Sequence, residues 1–174
     1  MRTITIKKTT GGKFAPGWKE VEITKAVYGD YNGAKYIDCY FKDYPDSLNL
    51  RIYEKVGQNG EEFAIGRLFR FANAGISEVL SGADGENVVK IDDSASSLMG
   101  KKVNIFMYKD GEYSRVLSSV APTMFENQLE SFKENDVEYW KSNAENYYQK
   151  YVVTKIASSD NTSKENTSDA EMPF

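Results

Sequence analysis

The sequence of 174 residues predicts a mainly β domain of the α+β class, followed by a C-terminal helical arm and a disordered acidic tail. Three observations lead to this prediction. Apolar and polar residues alternate through much of residues 1–122, as they do in half-buried strands. One segment within that region changes to the 3.6-residue period of a helix. Residues 158–174 are mostly polar and have no periodic apolar pattern, which is typical of a disordered tail.

The first strands are predicted from this alternation and from the turn signals between them. A short extra strand is expected at Thr3–Lys7, before a Gly- and Pro-containing break. Trp18–Tyr28 and Lys35–Phe41 are expected to pair, because the Asn-Gly dipeptide at positions 32 and 33 favours a tight turn. Leu48–Tyr53 is the next strand. The residues expected to face inward are Val21, Ile23, Ile37, Cys39, Phe41, Leu48, Leu50 and Ile52.

A helix is predicted over Glu61–Ala74. Its apolar positions lie at i, i+3, i+4 and i+7, which is the spacing of one helix face. Asn59 and Glu62 have the spacing of an N-terminal cap, and Gly75 is a natural end. The positions on the apolar face are Ile65, Leu68, Phe69 and Ala72.

Two more strands follow a polar connector at residues 81–97. They are expected at Lys101–Tyr108, with Val103, Ile105 and Met107 inward, and at Tyr113–Val120, with a turn between them. The order is then three strands, a helix and two strands. This is the order of the OB-fold, a five-stranded and partly open barrel. Residues 1–122 are therefore predicted to form an OB-fold-like domain.

Residues 123–157 are predicted to form the helical arm, which packs on the barrel or on a sister subunit. Thr123 with Glu126 and Asn135 with Glu138 have capping-box spacing. A monomer, a dimer and a tetramer all fit the sequence. Residues 158–174 form the predicted tail.

The composition narrows the possible chemistry. There is no His, no phosphate-binding loop and no Cys cluster, since Cys39 is the single cysteine. We therefore expect no catalytic residue, no metal and no cofactor. A carboxylate-dependent nuclease using Asp92 and Asp93 is the weakest alternative. The sequence has no apolar run that approaches a membrane span and no secretory signal, so a cytoplasmic location is expected.

The outward positions of the predicted strands combine aromatic rings with cations. Bases stack on rings, and cations follow phosphates, so this combination favours single-stranded nucleic acid. Asp38 shares the face. Residues 1–122 carry a net charge of only +1, whereas the helical arm carries −2 and the tail −3, so no broad basic field favours duplex DNA. The predicted contact residues are Tyr31, Lys35, Tyr36, Tyr40, Arg51, Tyr53, Lys102, Phe106, Tyr108, Tyr113 and Arg115.

The end of the sequence, DAEMPF, resembles the C-terminal tip of bacterial and phage single-stranded DNA-binding proteins. That tip consists of acidic residues followed by an aliphatic residue, Pro and Phe. The segments GDYNGAKYIDCYF and GRLFRFANAGI are also similar to phage-encoded members. Ala170 departs from the usual unbroken acidic run. The residues that match the tip are Asp169, Glu171, Met172, Pro173 and Phe174.

The resemblance implies a non-enzymatic protein that coats single-stranded DNA without strong sequence preference. It also implies that the tip recruits proteins of replication, recombination or repair in a bacterial host. A second hypothesis is a structural or adaptor barrel that acts only through protein contacts, using Tyr147, Tyr148 and Tyr151. The choice between DNA and RNA stays open.

Overall fold

The computed structural model describes residues 1–5, 14–82 and 85–157, and the predicted tail lies outside these ranges. Short turns of 3₁₀ and π-helix occur at Ala95–Leu98 and Tyr148–Val153. The strands and α-helices are β1 (Gly17–Tyr31), β2 (Ala34–Phe41), β3 (Leu50–Tyr53), α1 (Ala64–Phe71), β4 (Ile76–Ser81), β5 (Asn87–Ile91), β6 (Lys102–Asp110), β7 (Tyr113–Val116), β8 (Phe125–Glu126), β9 (Ser131–Phe132) and α2 (Glu134–Tyr147).

The main sheet has five antiparallel strands in the order β3-β2-β1-β6-β7. Strand β1 is long enough to pair with β6 through Gly17–Glu22 and with β2 through Ile23–Tyr31. The predicted barrel is not closed, because β3 and β7 are the two edges of this sheet. Strand β7 ends at Val116, and the chain then returns to β6, where Ala121 pairs with Asn104. The gap beside β3 is therefore left without a strand ladder.

The predicted inward positions are confirmed. Each of them is buried, including the single cysteine, and they form one apolar cluster with the inner face of α1. Alternation was a sufficient guide here because strands that are buried on one face expose side chains of the other face to solvent. Phe71, Leu98 and Phe132 complete the cluster from outside the predicted strands.

Helix α1 is shorter than predicted, and its cap is different. The helix begins at Ala64, and the carboxylate of Glu62 accepts the amide hydrogens of Ala64 (3.1 Å) and Gly66 (2.8 Å). These amides lie in the first turn, where no intrahelical acceptor is available. The predicted cap at Asn59 is therefore wrong, and Glu62 has that role.

The connector at residues 81–97 contains structure that its polarity concealed. Strands β4 and β5 form a separate antiparallel hairpin in which Leu80 pairs with Val88 and Val79 with Val89. Both Leu80 and Val88 are largely exposed, so apolar periodicity toward the core gave no signal. The hairpin begins after Gly75, whose φ of +72° would be strained for any other residue. At its base the Asp92 amide donates to the Gly75 carbonyl (2.6 Å).

Two further predictions about the ends of the described chain need correction. Residues 1–5 contain no strand, and the remainder of the predicted Thr3–Lys7 strand lies outside the described residues. The helical part of the arm begins at Glu134, not near Thr123. Residues 125–132 instead form the β8–β9 hairpin, in which the rings of Phe125 and Phe132 lie 5.1 Å apart.

Helix α2 and the π-helical turn after it lie against the domain, and residues 134–157 are called the arm from here on. The predicted cap at Asn135 is wrong, since Asp136 accepts the Lys133 amide at 2.9 Å. Trp140 packs against Phe71 with ring centres 4.9 Å apart. None of the helices in the described ranges is long and apolar enough to cross a membrane.

Candidate nucleic-acid interface

The outer face of β1, β2 and β3 carries a compact group of aromatic and cationic side chains, called the sheet patch below. Register places Tyr36 opposite Tyr53, and Asp38 opposite Arg51, on this face. The neighbouring strand adds Lys25, which lies opposite Tyr40. The sheet patch consists of Lys25, Tyr36, Tyr40, Arg51 and Tyr53.

A β-bulge brings Lys25 to this face. Val21 and Ile23 point inward, so simple alternation would place residue 25 inward as well. The register shifts between Ile23 and Lys25, which reverses the alternation beyond that point. Ala26 then packs on the core, and the Lys25 ammonium lies 5.4 Å from the centre of the Tyr40 ring.

Gly29 makes room for Tyr36. The two residues lie opposite each other, and a Cβ on Gly29 would come within 2.6 Å of the Cζ and Oη atoms of Tyr36. Real Cβ atoms essentially never approach other heavy atoms so closely. The absence of a side chain at this position therefore lets the Tyr36 ring lie over β1.

Arg51 is held at two places. Its Nε and Nη2 atoms donate to the two carboxylate oxygens of Asp38 at 2.7 and 2.8 Å, and its Cζ lies 3.8 Å from the Tyr36 ring centre. The hydrogen bond to Asp38 raises the pKa of Arg51 above its ordinary value, and the Tyr53 side chain adds to this effect while burial opposes it. The guanidinium is thus a permanent cation in a fixed orientation, and its side chain remains 40% exposed.

Asp38 is the acidic residue that shares this face with the rings and cations. It is buried beneath the guanidinium, so its charge is neutralised by a bidentate partner and does not face solvent. The pKa of Tyr40 is raised, first by burial and then by the nearby charges of Asp38 and Asp46. The Tyr40 hydroxyl therefore stays protonated at physiological pH.

Two of the predicted contact residues of β6, Phe106 and Tyr108, lie under the arm. The ring of Tyr148 lies 5.0 Å from that of Phe106 and 5.3 Å from that of Tyr108. Trp18, which faces the same side, donates from its indole nitrogen to Glu145 (3.1 Å). Burial raises the pKa of Tyr108, which agrees with its half-buried position. These rings are joined to the arm and not to the sheet patch.

The other predicted residues are dispersed around the sheet. Lys102 lines an open groove of about 570 Å³ whose charged residues also include Lys42 and three acids, Glu20, Glu22 and Asp43. Arg115 is paired with Asp110 at 2.8 Å and lies beside the exposed ring of Tyr113 (5.8 Å).

Tyr31 and Lys35 flank the tight turn between β1 and β2. Asn32 and Gly33 have positive φ values of 52° and 85°, which confirms the predicted Asn-Gly turn. Tyr31 is 63% exposed, and Lys35 lies opposite Asp30 in the ladder. The residues of the predicted partner-binding tip, Asp169, Glu171, Met172, Pro173 and Phe174, lie outside the described residues.

The groups with reactive potential are few in the described ranges. Burial raises the pKa of the Cys39 thiol to about 12, and the neighbouring Asp38 adds to the effect. No three His, Cys, Asp or Glu side chains in the described ranges are grouped in a way that could hold a metal ion. The absence of catalytic, metal and cofactor sites stays a prediction.

Sequence patterns missed the parts played by Lys25, Thr24 and Gly29. The bulge reversed the expected orientation of Lys25. Thr24 has no partner in the β1–β2 ladder, its hydroxyl donates to the Tyr40 carbonyl (3.3 Å), and no sequence pattern predicted this contact. Gly29 looked like part of a turn because a Gly precedes Asp30 and the Asn-Gly pair. A glycine inside a strand often marks a close approach of another group, and that signal was present in the sequence.

The chain matches no protein-family model, no curated protein and no solved structure. The residues of this chain and their geometry therefore carry the functional assignment proposed below.

Proposed function

We propose that this protein binds single-stranded DNA through the sheet patch, without strong sequence preference. The observation that carries the proposal is the layered arrangement of Arg51 on Tyr36. The guanidinium lies 3.8 Å from the centre of the Tyr36 ring, and the Asp38 carboxylate occupies its edge, so its outer plane would be available for stacking. Bases stack on guanidinium planes as well as on aromatic rings, and all four bases have a suitable face.

The remaining residues of the sheet patch extend this platform. Tyr36 and Tyr53 lie with ring centres 5.6 Å apart, and Tyr40 lies beside Lys25. Successive bases would use the rings and the guanidinium, and Lys25 would neutralise a phosphate. In this proposal the open five-stranded sheet is a variant of the OB-fold, and the analogy with OB-folds that bind single strands supports the function.

The resemblance of DAEMPF to the tip of single-stranded DNA-binding proteins supports a second part of the proposal. In this hypothesis the tip recruits a protein of replication, recombination or repair. Burial of Phe174 would contribute about 1.5–3 kcal/mol, and the acidic residues would add salt-sensitive attraction to a basic partner.

The proposal is tested by titrating the full chain with oligo-dT and following Trp and Tyr fluorescence at several salt concentrations. We expect quenching, an affinity that falls with added salt, and a loss of affinity in Arg51→Ala. Lys90→Gln is the matched control, because Lys90 lies on the separate β4–β5 hairpin beside Glu78. Tight binding to duplex DNA with none to single strands would refute the proposal.

The same titration addresses the alternatives. A protein that acts only through protein contacts would bind no oligonucleotide, and its oligomeric state would be unchanged by oligo-dT in size-exclusion chromatography. Competition between dT and U oligomers measures the preference for DNA over RNA.

A further inference from the structure

A groove of about 280 Å³ lies at the open side of the sheet, where a closed barrel would join β3 to the chain after β7. We call it the open-edge groove. Its walls come from β3, the start of α1, the segment after β7 and the arm. The lining residues are Ile52, Tyr53, Lys55, Phe63, Ala64, Arg67, Leu68, Ser118, Ser119, Val120 and Tyr147.

The composition of this lining is unusual for a protein with net negative charge. It includes two cations, three aromatic rings and two serine hydroxyls, and no carboxylate. The rings are accessible, since Phe63 is 48% exposed and Tyr53 is 37% exposed. A groove with this lining complements an anionic ligand that also has a flat apolar part.

Arg67 differs from the other arginines of residues 14–157. Arg51, Arg70 and Arg115 each have a carboxylate partner within 2.8 Å. Arg67 has no carboxylate partner among the residues that the structure describes, and it lies instead 5.1 Å from the centre of the Trp140 ring. Lys55 likewise forms no ion pair within the described ranges. Both cations are available to an anion.

The open-edge groove is continuous with the sheet patch. Tyr53 belongs to both, and it contacts Tyr36 on one side. Tyr147 forms the far wall, and its ring lies 5.2 Å from that of Tyr151, which is exposed on the arm. Aromatic rings therefore lead from β2 across the gap to the arm.

We propose that the open-edge groove binds one nucleotide of a single strand, an inference that rests on the proposed function and extends its binding path to the arm. The base packs among the rings of Tyr53, Phe63 and Tyr147, and the phosphate is bound by Lys55 and Arg67. The volume is close to the lower end of the ~300–1,000 Å³ found for ligand pockets, which suits one nucleotide. The incomplete closure of the sheet thus provides a binding site.

The test uses the full chain and oligo-dT, with Phe63→Ala, Lys55→Gln and Arg67→Gln compared with wild type and with Lys90→Gln. Phe63→Ala should weaken binding by about 5- to 150-fold, which corresponds to ~1–3 kcal/mol for one stacked base. Each cation variant should make the slope of log K against log salt shallower by about 0.7, the value for one phosphate of a single strand. Lys90→Gln should behave as wild type.

Thermal unfolding of each variant identifies any loss of fold. Arg67→Gln also removes the contact of Arg67 with Trp140 and could loosen the arm, so Lys55→Gln provides an independent test of the cation contribution. If wild type binds oligo-dT and all three variants bind it with the same affinity and salt slope, the inference is overturned but the proposed function stands. No binding by wild type at any salt concentration overturns both. Stronger binding by Arg67→Gln and Lys55→Gln also overturns the inference, because the groove would then serve an acidic segment of the chain itself. Photocrosslinks from 4-thiothymidine oligomers should map to residues 53–67 and to the arm.

Discussion

Gly29→Ala should disrupt the sheet patch while the protein keeps its fold. The new Cβ would lie 2.6 Å from the Tyr36 Cζ and Oη atoms, so the ring must leave its place over β1. Only the far end of a side chain has to move, and the backbone of β1 keeps its strand geometry. We therefore expect a local change in the sheet patch with the fold retained.

The magnitudes predict a small loss of stability and a large loss of binding affinity. Alanine in a strand interior is favoured over glycine by about 0.5–1 kcal/mol. Displacement of Tyr36 removes an exposed cation–π contact of about 0.5–1 kcal/mol and an aromatic pair of about 0.5–1.5 kcal/mol. The gain offsets only part of these losses, so the free energy of unfolding should fall by less than about 2 kcal/mol. Loss of one stacking position should weaken oligo-dT binding by about 5- to 150-fold.

Urea denaturation and fluorescence titration measure the two quantities in the same samples. Gly66→Ala is the control, since its Cβ would meet no atom closer than 3.8 Å. In a Tyr36→Ala background, Gly29→Ala should stabilise by about 0.5–1 kcal/mol and have no further effect on binding. If Gly29→Ala destabilises equally with and without the Tyr36 ring, the close approach described above is wrong. If it leaves oligo-dT affinity unchanged, Tyr36 and the guanidinium above it do not form the binding platform.

Three further predictions concern the core, the arm and the thiol. Phe71→Ala should cost about 3–5 kcal/mol of unfolding free energy, measured with urea, because the fully buried ring joins Phe132 and Trp140 and leaves a cavity. Tyr148→Ala should loosen the arm by removing its ring contacts to β6, so trypsin should cleave after Lys141 faster than in wild type or in the exposed-position control Tyr139→Ala. The pKa of Cys39, raised to about 12, keeps its thiol neutral in the fold. The stability advantage of wild type over Cys39→Ala should be complete below about pH 9 and decline as pH rises toward 12, and native protein at pH 8 should resist thiol reagents that react after unfolding.

The sequence was a good guide wherever one face of an element is buried against the core. Alternation at Ile37, Cys39 and Phe41 and the helical spacing of Ile65, Leu68 and Phe69 both predicted buried positions correctly. Burial of one face forces a period on the sequence, and that period can be read without a structure. Segments with little burial gave no such period, which is why the exposed β4–β5 hairpin was missed.

The residue types of the candidate interface were predictable from the sequence, but only some of the predicted residues lie together on an uncovered face. Tyr36, Tyr40, Arg51 and Tyr53 share a face as expected, because their strands follow strict alternation. Phe106 and Tyr108 also point outward, yet the arm covers them through Tyr148. Alternation reports which side of a strand a residue occupies, and it carries no information about what another segment of the chain places over that side.

The sequence by itself determined the order of the main strands and helix α1 along the chain, the inward residues and the chemical character of the outward face, because these follow from local periods of two and 3.6 residues. Tertiary structure decided that the sheet stays open between β3 and β7, that Lys25 turns outward at a bulge, and that Gly29 admits the Tyr36 ring. It also decided that Arg67 remains unpaired by any carboxylate in the described chain. Each of these depends on contacts between residues far apart in sequence, where packing and register, not local pattern, determine the position of a side chain.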